Sequence, residues 1–531
     1  MSTIVFRGDS QPIAQVRTQT VGGTPTTGQV YTVTINRKDV SYTVLATDTT
    51  NTLIATGLKT ALVASTIKEF AKITWTSSAA VITATGPATG EPFELTTSTT
   101  GSGSPTLVDA AVTAPLGLNH WDDPENWSLN RVPAGQCAPP VQNAATASSG
   151  GTLVDTTTYY WVITATNALG ETLKSNQVSL VIASPNQTAN LSWANVVGAT
   201  GYKVYRSTTT DVYTPTALLA TITSGSTLTY VDSGGSLSAG AVPGANTALG
   251  DDVYLTSCST PIYWGIAALD YLKFNSLHKD ATFTAPIGLP DYNVPGGYQE
   301  YLPLYLKCAP ITVYYGENIG SGSSFVRIDK GTVNAVAWNI YQTGSPSVTG
   351  EPALWIQGAN SSDTFVINKG YIGFGLATGT ASQPSTIKTS SDEVTLYFGL
   401  GAVLSGTTIT MGGGTVYAKT NLSLLTINAG AFHLEESATL GTFVGYGGTL
   451  FDKSNGTITA LTLNSGCTYD RTEDLRSKTI TDSTLRNGSK FKDPNKTITR
   501  TNPTFLDGTI NHDAPSFIDL DIGNGANIQT S

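Results

Sequence analysis

Charge is scarce in this chain. Charged residues make up 12% of the 531 positions, about half the share of an ordinary soluble protein. No block of Lys and Arg exists, and the formal charge of −10 is spread thinly. That distribution excludes electrostatic capture of nucleic acid or of an anionic membrane surface. The cysteines Cys137, Cys258, Cys308 and Cys467 lie too far apart for a disulfide framework or a metal-ligand set, and are read as buried free thiols, with a single bridge as the alternative. Histidine is as rare, at 120, 278, 433 and 512, and forms no metal constellation along the chain. Nowhere do 18 apolar residues follow one another, so no membrane helix is expected. A Gly-x-Ser-x-Gly elbow in a strand-to-helix setting, a Walker A loop, a His-Glu-x-x-His pair and a Cys-x-x-Cys pair are all missing. No cofactor is implied, and the chain is not read as an enzyme.

What the chain does contain is glycine, 54 residues of it, with Ser and Thr throughout. From Gly250 to the end, short β-type runs are punctuated by Gly, Asn, Ser and Thr, without a long amphipathic helix. Such a segment buries its apolar faces by stacking strand on strand. The intervals between strand starts are irregular, the longer ones about double the shorter, which suits a right-handed parallel β-helix with variable corners; antiparallel stacking is the alternative. At this length several domains are expected.

Positions 1–24 are read as an N-terminal arm: a short β run at 3–6, then a polar stretch with Pro12 and Gly22-Gly23. It either adds a strand to its own chain or reaches onto another subunit. Over 25–116, Tyr31, Val33 and Ile35 alternate, 36–39 supply a turn, and Val40, Tyr42 and Val44 alternate again, a hairpin pattern. Ile54, Leu58 and Leu62 then mark one face of a helix, with strands expected at 71–75, 80–84 and 93–97. A small α+β domain follows from that order.

Trp121 and Trp127, in a turn-rich stretch over 119–133, are read as a pair of indoles closing the open end of a β stack, each ring N–H needing a partner. Gly250-Asp251-Asp252-Val253-Tyr254-Leu255 reads as the continuation of this stretch after a long interruption. The body is therefore assigned to 117–136 and 250–485. A charged, proline-bearing stretch opens 486–531, read as a cap or oligomerisation segment.

The interruption, 137–249, holds about seven short strands at regular intervals. With Trp193 and the Tyr-Lys-Val-Tyr-Arg run at 202–206, it resembles a fibronectin type III domain over 137–242; the resemblance implies a β-sandwich with Trp193, Tyr202 and Tyr205 as structural residues. Such modules act mostly as spacers and adhesive units. Without this segment the flanks resemble the opening of β-helical surface domains of phage and bacterial exoproteins, and the 25–116 module resembles small modules of phage structural proteins. The resemblances imply a non-enzymatic virion component, a capsid decoration protein or part of a tail fibre or spike. Low charge on a long β stack adds the expectation of a homotrimer, which would contact other virion proteins through the N-terminal arm and domain. The N-terminus has no basic segment followed by an apolar core, so release with a virus particle is the expected route outwards.

A receptor-binding or carbohydrate-degrading tailspike is the rival reading. Tyr292, Tyr298, Tyr301 and Tyr305 gather around a Gly-Pro-rich loop and are candidate contacts to host surface glycans. Carboxylates for glycosidase chemistry (Asp270 with Asp280, Asp329, Glu435 and Glu436) are present, and none is distinguished by its setting.

Overall fold

The computed structural model describes residues 2–117, 120–256, 262–263, 272–280, 290–291, 300–301, 306–307, 312–317, 326–330, 335–345, 352–375, 382–399, 401–486, 488–502, 504–507, 509–512, 520–522 and 527–530. It is mainly β, and its longest part is a parallel β-solenoid of about nine turns. Two sheets build the solenoid, one of 15 strands and one of 12, and from Leu306–Lys307 to Lys490–Lys492 successive strands alternate between them. Among the described residues every pairing within these two sheets is parallel, which sets aside the antiparallel alternative.

The inward residues explain why the coils close. In the longer sheet Val313, Trp338, Phe365, Ile387, Ile409, Leu425, Phe443 and Leu461 stand in register, each buried. The facing sheet supplies Val326, Leu354, Ile372, Leu396, Val416, Phe432, Leu450, Tyr469 and Phe491. Both sets belong to one hydrophobic core, in which each coil buries its apolar residues against the next. Coil length varies: the coil from Trp338 to its partner Phe365 is long and that from Ile409 to Leu425 is short, the difference being taken up at the corners.

One corner is made of glycine. Gly414, Gly430, Gly448 and Gly466 each stand at the start of a strand of the shorter sheet and each has a positive φ. A Cβ on Gly430 would strike the Gly414 carbonyl, and one on Gly448 the Gly430 carbonyl, so the corner stacks without side chains.

The stretch 1–24 does not form a separate arm. Thr3–Val5 is the first strand of the 15-stranded sheet, parallel to Asp252–Leu255 of the same chain, and Val16–Gly22 is a strand of the following unit. Of the two options open from sequence, addition to the chain's own sheet is the one observed. The physical reason is that Ile4 and Phe6 continue the buried face begun by Val253 and Leu255. The last segment also departs from its reading as a cap. Beyond 486 both sheets continue through Lys490–Lys492, Thr504–Asp507, Thr509–His512, Leu520–Ile522 and Asn527–Thr530. Pro494 falls in a turn where Asp493 accepts the N–H groups of Thr497 and Ile498, so the polar residues mark a corner of a coil.

Between the first solenoid strand and its neighbour, the chain makes two excursions. Residues 16–113 form sheets of four and three antiparallel strands over the helix Asn51–Ala64, which buries Ile54, Leu58 and Leu62. Thr50 caps that helix through the Leu53 N–H. The second excursion forms a five-stranded sheet around Thr158–Asn167 and Gly201–Ser207, and a three-stranded sheet around Thr188–Ser192. These share a core separate from that of the solenoid. Its ends meet, because Cys137 N–H donates to the Ala248 carbonyl at 2.9 Å and Asp251 N–H to the Ala134 carbonyl at 3.0 Å.

Candidate functional site

The end of the solenoid where Thr3–Val5 lies is closed by aromatic packing. Trp121 and Trp127 are fully buried, edge to face at 4.8 Å, and Phe6 meets Trp127 at 5.2 Å. Trp127 Nε1 donates to the Trp121 carbonyl at 2.8 Å. Asn126 ties the turn together: its side-chain nitrogen donates to the Gly117 and His120 carbonyls, and its oxygen accepts the Ser10 N–H. Ser128 N–H reaches the Val5 carbonyl, covering the first strand's free edge.

Beneath this cap lies Asp251, with no exposed surface. It takes Arg131 Nη1 at 2.5 Å and Nη2 at 2.8 Å, the Ala134 N–H at 2.7 Å and the Ser2 hydroxyl at 2.7 Å. Burial works against the carboxylate, yet Arg131, Ala134 and Ser2 together outweigh it and hold the group below the ordinary carboxylate range. One side chain thus joins the N-terminus to both ends of the second excursion. Nothing in the Gly-Asp-Asp run signals this, since the partners are distant in sequence.

On the outer face of the adjoining coils, polar groups form a chain that no sequence motif announced. Glu317 accepts from His278 Nδ1 at 2.8 Å, His278 Nε2 lies 2.8 Å from Ser276 Oγ, and Ser276 Oγ donates to Asp252 at 2.6 Å. Tyr254 and Tyr314 sandwich the imidazole at 4.0 and 4.6 Å. A serine between a histidine and an acid invites comparison with a nucleophilic triad. A triad needs the serine proton directed at the imidazole, however, and here the hydrogen bond to Asp252 takes that proton. Ser276 and His278 are two apart on one strand and so share a face, while Glu317 comes from just past the paired strand Thr312–Tyr315 of the next coil.

The outer face of the shorter sheet carries a ladder of rings: Tyr397, Tyr417, His433 and Phe451 stack at 5.4, 4.6 and 4.9 Å. Half-buried in the ladder, with Lys453 nearby, His433 is pushed below its ordinary value. The ring faces are occupied by one another, so edges are presented to solvent. Glu435 and Glu436 lie beside it, where Glu436 pairs with Lys419 at 2.8 Å.

Inside the solenoid, the column of Phe374, Phe398, Ala418 and Leu434 ends at Asp452. Tyr469 and Lys478 bond its carboxylate at 2.6 and 3.0 Å. Arg471, fully buried, donates to Thr497 and to the backbone carbonyls of Asp452, Ser454 and Arg476. The cluster is internally satisfied and locks three coils together.

In the second excursion, Trp193 packs on Tyr202 at 5.3 Å, and the Tyr202 hydroxyl accepts the Val196 N–H. Tyr205 donates to Glu171 at 2.6 Å. A group not singled out from sequence stands deeper: Asp232 receives Trp161 Nε1 at 2.9 Å and Arg206 at 2.8 Å. Tyr292, Tyr298 and Tyr305 lie outside the described residues, as do Asp270 and the side chains of Tyr301 and Asp329.

Among the described residues no group of three or more His, Cys, Asp and Glu is placed to hold a metal, and no helix is long and apolar enough to cross a membrane. No protein-family model, curated protein or solved structure matches the chain.

Proposed function

We propose that the chain is a non-enzymatic structural protein exposed on a tailed phage particle, either a capsid decoration protein or a tail fibre or spike component. The observation that carries this reading is the closed solenoid end, where Trp121, Trp127, Phe6 and Asp251 fix both excursions onto one stiff stack. Long regular stacks hold shape at low conformational cost, which suits display of attached modules. The second excursion, with Trp193 and Tyr202 on facing sides of a sandwich, is read as fibronectin type III-like and the 25–116 module as a small α+β domain of virion proteins. The coils are read as right-handed, the hand found in about 98% of parallel crossovers. Three parallel copies form the assembly, the N-terminal unit making the contact to other virion proteins. Purified particles should contain the protein in fixed copy number, high for a decoration protein and low for a fibre, and light scattering should give three chains; absence from particles would defeat the reading.

A second reading, a receptor-binding or carbohydrate-degrading spike, draws on Asp252 and Glu317 flanking the stacked Tyr254, His278 and Tyr314. Hydroxyl-rich ligands suit such groups, and Tyr292, Tyr298, Tyr301 and Tyr305 belong to the same proposal. A glycan-binding screen on the full chain, followed by reducing-end assays on any polysaccharide retained, separates binding from cleavage.

A further inference from the structure

We propose that His120 is an acid-sensitive latch between the small N-terminal unit and the capped end of the solenoid. The two have separate hydrophobic cores. Near the joint, backbone bonds pair Ile13 with Leu116, and His120 Nε2 lies 2.6 Å from the Gly90 carbonyl. Glycines occupy both sides of that contact, Gly90 at φ 78° and Gly117 at φ 155°, backbone suited to a hinge.

A carbonyl only accepts, so Nε2 carries the hydrogen and the neutral ring keeps its lone pair on Nδ1. His120 is 5% exposed, its ring packs 5.2 Å from Tyr263, and its carbonyl is held by Asn126. Burial lowers its affinity for a second proton, against the opposing influence of the Gly90 carbonyl and Asp123. Other charged groups on the described elements around the joint are Glu91, paired with Lys72 at 2.8 Å, and Arg7, Asp9, Asp122 and Glu125. Opening returns the ring to water and to its ordinary value of about 6.5. The open form then binds more protons than the latched form, so docking is strongest above about pH 6.5 and weakens as pH falls towards the depressed value.

Hydrogen exchange on the full chain at about pH 7.5 and about pH 5, corrected for intrinsic rates, tests the latch in residues 86–92, 114–117 and 120–121. The wild type should exchange several-fold faster there at the lower pH, with residues 404–463 unchanged. His120→Gln retains a donor for the Gly90 carbonyl and cannot take a second proton, so it should stay protected at both values; His120→Ala should exchange rapidly at both. A wild type equally protected at both pH values, or His120→Gln opening as the wild type does, overturns the proposal. Should His120→Gln not fold, the wild type decides: local exchange following one proton below about pH 6.5 supports the latch. Loss of protection shared with 404–463 is general unfolding and sinks it.

Discussion

At Asp251 one buried carboxylate receives hydrogen bonds from Ser2, Arg131 and Ala134, groups that come from separate places along the chain. Replacing it with Asn leaves the Arg131 guanidinium, itself mostly buried, without its counter-charge, and should cost about 3 kcal/mol or more in urea unfolding. The sign of the pH effect follows from the lowered pKa. The stabilisation is full above the unfolded value of about 3.9 and is lost as pH falls through the folded one. The wild type's melting temperature should therefore fall more steeply than that of Asp251→Asn on acidification below about pH 4. Arg471 makes a comparable case inside the solenoid. Methionine there would fill the volume and leave Asp452 and several carbonyls short of donors, with an expected loss of about 3–5 kcal/mol measured by denaturant titration. Cys467 shows the opposite, an inert group: burial pushes its thiol up to about 12, and it fills the space left by Gly445.

Individual coils depend on corners as much as on strands. Gly430→Val places a branched side chain at φ 91° against the Gly414 carbonyl, so strain alone should cost about 1–3 kcal/mol, visible as a lower unfolding midpoint; a midpoint unchanged from wild type would contradict the stacked-corner account. The β character of these coils was legible in alternating runs such as 394–398 and 415–418, whose inward and outward positions follow a period of two. The ring ladder was not. Tyr397, Tyr417, His433 and Phe451 are separated by unequal intervals because coil lengths differ, so no fixed spacing marks them. Ser276 and His278 share a face of one strand, a pairing not read from the sequence, and Glu317 and Asp252 join them only through parallel pairing.

For the whole molecule, the joined ends of the second excursion yield a direct test. Deleting 137–248 and bridging with a short Gly-Ser linker should leave a soluble, cooperatively unfolding solenoid, because Ala134 and Asp251 remain hydrogen-bonded at the base. Loss of the β signal by circular dichroism would show that the solenoid needs that segment. The sequence by itself determined that the chain is mainly β and that its long C-terminal part stacks strand on strand, since local alternation and frequent glycine depend only on near neighbours, while the parallel pairing was decided by the fold. Tertiary structure alone decided that Thr3–Val5 opens the solenoid, that strands continue past 486, and that Asp251 and Arg471 find their partners. Those pairings join residues far apart in the chain, and their stabilisation comes from burial and hydrogen bonds formed after folding, which leave no period in the sequence to read.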